Sequence, residues 1–324
     1  MQENGNKNDE EPALPQPDDR ELLADAYESP PESTADSQEI VLAEVIELAP
    51  RKPRIWTVLC VGILTLPMAM LVGGSVVAFA AIADAGMEVF QKDAFSKWFE
   101  EYSQTRLGLA VLVLPGQAVF LVMAVGAALL SPQPASRRLG LHRGVLPLWT
   151  WVVFILATPI VAILSSQVLS LFVDELSDSL KMMEQMMQAH ADGFLVGLIL
   201  MVAVVPGVVE ELMFRGYVQT RLAERWHPGL AILISAIVFS AAHLDPLHML
   251  GVLPLGLWLG AVAWRADSVL PAMLCHAGNN VIAVAGTKYG QMQTMDVALD
   301  PMTTAALAIS LPAFLFSLYI FRSN

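Results

Sequence analysis

The chain has 324 residues, 55% of them hydrophobic and 15% charged, with a mean hydropathy of +0.56, which excludes an ordinary soluble globular domain. Its net charge of -13 gathers in residues 1–50, where fourteen acidic residues stand against Lys7 and Arg20, so the remainder is nearly neutral. No nucleic-acid partner is expected, and the two cysteines, Cys60 and Cys275, lie in apolar runs without metal-ligand spacing and read as small buried residues.

Residues 1–50 are rich in Pro, Glu, Asp and Ser and are expected to form a disordered cytoplasmic tail, a tether or a binding segment for a partner. Within it, Ile40–Leu48 has the pattern of an interfacial helix or a strand. The tail lacks the basic start and apolar core of a signal peptide. Residues 51–324 are expected to form a membrane helical bundle. A bilayer core takes roughly 20 apolar residues per helix, and that rule marks eight candidate spans, at about 55–83, 107–130, 148–173, 193–214, 229–245, 247–264, 268–286 and 303–321. The predicted fold class is thus an all-α polytopic membrane protein. Between the first two spans, and again at Leu176–Gln188, amphipathic pieces are expected to lie along the interface.

Basic residues give the orientation. Arg51, Lys52, Arg54, Arg137, Arg138, Arg143, Arg215, Arg221, Arg225, Arg265 and Arg322 fall on one side, and only Lys92, Lys97, Arg106, Lys181 and Lys288 on the other. Positive charge is retained inside, so both termini are expected in the cytoplasm and the number of spans is expected to be even.

Three polar groups interrupt the apolar runs. Glu210 and Glu211 sit in the fourth span, where ionised groups are costly unless paired or hydrated and are functional by default. Glu211 and Arg215 are four apart with the acid first, the favourable order for a helical ion pair, which leaves Glu210 turned about 100° away. His243 lies in the fifth span. The midpoint between 210 and 243 falls at Trp226-His227-Pro228-Gly229, a turn signal, so Glu210 and His243 are expected at matching depth in a helical hairpin. His276 and Asn280, again four apart, share one face of the seventh span, within reach of that depth. Asp245 and Pro246 read as the cap and first turn of the next helix, and His248 as a helix-start residue.

A carboxylate beside an imidazole, walled by apolar side chains, can hold and deprotonate water. A second imidazole with an amide can donate to a developing oxyanion. Those are the parts of a peptide hydrolase with water as nucleophile. Ser235 and Ser240 have no Gly-x-Ser-x-Gly setting, and His-Glu-x-x-His is absent. No cofactor requirement is favoured, while zinc stays open because Glu210, Glu211, His243 and His276 are competent ligands. A non-enzymatic scaffold or immunity partner, or a small proton-coupled transporter, is the competing class. The transporter would show paired halves, and no internal repeat is found.

Glu210-Glu211-Leu-Met-Phe-Arg215, Phe239-Ser-Ala-Ala-His243 and His276-Ala-Gly-Asn-Asn280 together resemble the three motifs of the CPBP family, the CAAX prenyl endopeptidases of the Rce1 type and the bacteriocin-processing membrane proteins also called the Abi family. Leu139-Gly140-Leu141 before a basic residue, and Gly256–Trp264 leading to Leu270-Pro271, are similar to the family as well. The resemblance implies an eight-helix intramembrane endopeptidase with 193–286 as its catalytic core and a site open to the cytosol or the inner half of the membrane. It implies that Glu210 activates water with His243, that His276 and Asn280 form the oxyanion hole, and that Glu211 and Arg215 are structural or pKa-setting. The implied substrate is a prenylated CAAX-type protein, a small peptide or a membrane protein. The implied location is a multi-pass place in the membrane, the inner one in a bacterium. The acidic tail is not part of the family pattern.

Overall fold

The computed structural model describes residues 54–91, 93–131, 133–288 and 301–323. The expectations for the tail at 1–50, for Ile40–Leu48, and for Arg51, Lys52 and Lys92 lie outside them. The described residues form helices and no strands, within one compact unit, Lys52–Asn324.

The first long helix, α1 (Ile55–Ala85), stops at Gly86, whose φ of 75° leaves the helical region. The amphipathic link that follows is a 3₁₀ turn and a short helix, α2 (Ala94–Ser103). It is tied back to α1 by Trp98 Nε1 donating to Asp84 Oδ2 at 2.8 Å. Next come α3 (Arg106–Leu129), capped by Thr105, and α4 (Leu148–Ser170). The second amphipathic piece is α5 (Asp178–Ala191), with Ser177 as its cap. Then follow α6 (Leu195–Ala223), α7 (Pro228–Ala241), α8 (Pro246–Ala266), α9 (Leu270–Lys288) and α10 (Pro301–Arg322). Asp245 caps α8 by accepting from the His248 N–H at 2.8 Å, with Pro246 in the first turn, as the sequence predicted.

Eight spans were expected. Among the described residues six helices are long and apolar enough to cross a membrane: α1, α3, α4, α6, α8 and α10. The two others are the ones that carry the histidine motifs. α7 has 14 residues, about 21 Å of helix against a hydrocarbon core of about 30 Å. α9 is interrupted by His276, Asn279 and Asn280. The cost of polar groups in lipid falls on the elements that build the site.

The outward faces are apolar. Leu71 and Phe79 of α1, Val122 of α3 and Val196 of α6 are each at least 65% exposed, a surface suited to lipid rather than water. Cys60 shares this fate: expected to be buried, it is exposed, while Cys275 is buried. Lipid tails are as apolar as Leu, so a small side chain on the outer face gains nothing by turning inward. Inside, α6 is the hub. Its Met213, Phe214 and Val218 pack with Phe120 of α3 and Phe239 of α7. A second core joins α4, α8 and α10 through Phe154, Trp258 and Leu259.

Candidate active site

The geometry of the site begins with the winding of α6. Val205–Glu211 is α-helical, but the stretches before and after it, Ile199–Val204 and Leu212–Gln219, are π-helical. The wider π turn re-aims side chains relative to a straight α-helix and recurs at functional sites. Glu210 and Glu211 therefore stand at the junction of two windings.

The predicted pair is present. Arg215 Nη1 donates to Glu211 Oε1 at 2.6 Å, with both side chains fully buried. Arg215 Nη2 donates to the Gly256 carbonyl at 2.8 Å, and the guanidinium lies 4.4 Å from the Phe239 ring centroid. Glu211 Oε1 also accepts from His276 Nδ1 at 2.9 Å. One carboxylate thus holds two cationic or polar partners from α6 and α9. Neither Glu211 nor Arg215 lines the cavity described below.

Glu210 points elsewhere. Its Oε1 accepts from Gln117 Nε2 of α3 at 2.8 Å, and its Oε2 lies 4.0 Å from His276 Nε2. The contact with α3 has two rungs, Gln117 with Glu210 and Phe120 with Phe214, whose ring centroids are 5.7 Å apart. α9 comes close because position 207 is glycine: a Cβ there would lie 2.7 Å from the Ala277 backbone nitrogen. That close approach sets His276 against both glutamates.

His243 follows the end of α7. Its Nδ1 is 3.1 Å from the Phe239 carbonyl. A carbonyl only accepts, so Nδ1 carries the hydrogen and the neutral ring keeps its lone pair on Nε2. The same reasoning at His276 gives Nδ1–H to Glu211, so Nε2 bears a hydrogen only in the imidazolium form. The Phe239 ring separates and orients the two imidazoles, with centroids 5.1 Å from His243 and 5.6 Å from His276.

Glu210, His243, His276 and Asn280 all line one cavity of about 440 Å³. Glu210 and His243, expected at one depth of a helical hairpin, and His276 and Asn280, expected on one helical face, meet there. Three lining residues escaped the sequence reading or were read differently. His248, taken as a helix-start residue, does occupy the first turn of α8, but its ring lies 4.5 Å from that of His243 inside the cavity. Glu184, on α5, lines the same space, and burial pushes its carboxyl above the ordinary range. Asn279 lines it beside Asn280. Gln117 was missed too, although it is the sole uncharged polar side chain in the apolar sequence of α3.

Most of the remaining wall is apolar, with Leu180, Met183 and Met187 of α5 and Leu247, Val252 and Leu255 of α8. α5 is fastened to the α7–α8 link by Ser179 Oγ donating to Asp245 Oδ2. That bond and the His248 N–H hold the Asp245 carboxyl down at about 2. The opposite end of the bundle is marked by Arg138 Nη1 paired with Glu224 at 3.1 Å. From Glu210 the cavity thus extends toward the α5 end, away from the arginine-bearing turns.

Among the described residues no three His, Cys, Asp or Glu side chains are grouped to hold a metal ion. Nδ1 of His243 and of His276 is held by the Phe239 carbonyl and by Glu211, which leaves Nε2 of each ring as the nitrogen available to a ligand.

Compared with known families, residues 192–282 match the model described as type II CAAX prenyl endopeptidase Rce1-like. The match covers α6, α7, α8 and most of α9, the helices that carry the three motifs. No curated protein and no solved structure matches the chain.

Proposed function

We propose, taking as premise that residues 192–282 are an Rce1-like domain of the CPBP intramembrane protease family, that this integral membrane protein hydrolyses a peptide bond with a water activated by Glu210 and His243. The observation that carries the reading is the meeting of Glu210, His243, His276 and Asn280 on one apolar-walled cavity.

In this reading the water sits between the free Oε2 of Glu210 and Nε2 of His243. Its oxygen attacks the scissile carbonyl carbon while Glu210 takes its proton. The carbonyl oxygen gains the negative charge and is met by the Asn280 amide and by Nε2–H of the His276 imidazolium. The C–N bond then breaks, and the proton passes from Glu210 to the leaving amine. Glu211 and Arg215 act by holding His276. No metal is required for any of these steps.

The apolar wall favours a substrate that brings an apolar chain, a prenylated CAAX-type protein, a small peptide or the end of a membrane protein. The protein would work as a multi-pass component of the bilayer, the inner membrane in a bacterial cell. The test is cleavage of quenched fluorescent peptides, farnesylated and unmodified, by detergent-purified protein before and after chelation. Cleavage that survives the chelator is expected. Activity lost with the metal and regained on its return would replace the glutamate-activated water with a metal-bound one.

A further inference from the structure

α3 is apolar from Leu107 to Leu129 except at Gln117. A polar side chain in a membrane helix is retained at a cost unless it finds a partner, and Gln117 finds one in Glu210, at 2.8 Å through Nε2. The other atom of the amide is as informative. Gln117 Oε1 is buried and has no hydrogen-bond partner.

We propose that Gln117 is a positioning residue for the hydrolytic carboxylate, pinning Oε1 of Glu210 so that Oε2 is the oxygen presented to the cavity. The inference rests on the reading of Glu210 as the proton acceptor. A carboxylate only accepts, and the Gln117 NH2 donates to its Oε1. Once Oε2 takes the proton, Oε1 remains an acceptor and the Gln117 NH2 goes on donating to it, so the amide holds Glu210 before and after the transfer.

The other titratable groups around Glu210 come from every side. They are Glu211 and Arg215 on its own helix, His276 on α9, His243 after α7, His248 on α8 and Glu184 on α5. α4 contributes Ala162, Ser166 and Leu169, which do not titrate. Gln117 alone reaches Glu210 from α3, through a contact kept in register by Phe120 and Phe214.

The experiment replaces the amide without changing the length of the side chain. Gln117→Met removes donor and acceptor from a helix that is otherwise apolar, and Gln117→Glu sets a second carboxyl against Glu210, so that one proton is shared between the two. Two readouts are taken on the purified full chain: kcat and KM for the fluorogenic peptide, and labelling of Glu210 by an apolar carbodiimide, which attacks protonated buried carboxyls and is read by peptide mass spectrometry. Both variants are expected to lose at least about tenfold in kcat with KM unchanged, because the reacting oxygen is misplaced while the cavity is not. Gln117→Met is also expected to label at Glu210 several-fold faster than the parent. A role in packing alone would lower the melting temperature without either signature. Parent-like kcat and parent-like labelling in Gln117→Met would overturn the proposal. If the parent itself cleaves no peptide, the proposed reaction fails first and the labelling rate still decides the place of Gln117.

Discussion

Glu211 is the residue on which the buried chemistry turns, since a single oxygen accepts from both Arg215 and His276. Removing one member of a buried ion pair costs about 3–5 kcal/mol, because the other charge is left without a partner. Arg215→Ala is accordingly expected to lower the stability of purified protein by about that amount and to loosen His276. A melting temperature and yield equal to the parent's would remove Arg215 from this role. At this scale the sequence was legible where partners are local. The spacing of Glu211 and Arg215, and of His276 and Asn280, is one helical turn and can be read directly. Gln117, His248 and Glu184 were opaque because each reaches the site from a different helix, and nothing in one helix's pattern says what a neighbouring helix sets beside it.

At the scale of elements, the hairpin of α6 and α7 and the cap of α8 follow from turn and capping residues in the sequence. The π-helical winding of α6 does not, since no residue type in Ile199–Val204 or Leu212–Gln219 demands it. α7 also ends earlier than expected. Its predicted end at 245 carried the helix through Leu244, whose φ of 62° breaks it and lets Asp245 start α8. Gly207 states the packing of α6 on α9 most sharply. An added methyl would press on the Ala277 backbone, which has no flexible end to yield. Gly207→Ala is expected to cost about 1–3 kcal/mol as overpacking and to slow cleavage by moving His276 from the glutamates. Unchanged stability together with unchanged kcat would show that α9 tolerates the shift and that the close approach is not needed.

For the whole molecule, composition already announced a helical membrane protein, and the order of the three motifs announced the helices that meet. Which side of the membrane α5 faces is set by the charges that flank the spans, not by the site residues. The excess of arginines at 137–143 and 221–225 predicts that α5 lies outside the cytoplasm. A cysteine at Ser177, in a Cys60→Ser background, is expected to react with an impermeant maleimide added to intact cells. Labelling only after permeabilisation would invert the bundle and turn the cavity to the cytosol. The account as a whole stands on Glu210 taking a proton from water. The most direct measurement is kcat of Glu210→Gln on the peptide the parent cleaves, with melting temperature measured on the same sample. The amide keeps the shape and the contact with α3 but cannot accept the proton. The account predicts a fall of at least about 10²-fold in a folded protein, and cleavage at the parent's rate would contradict it.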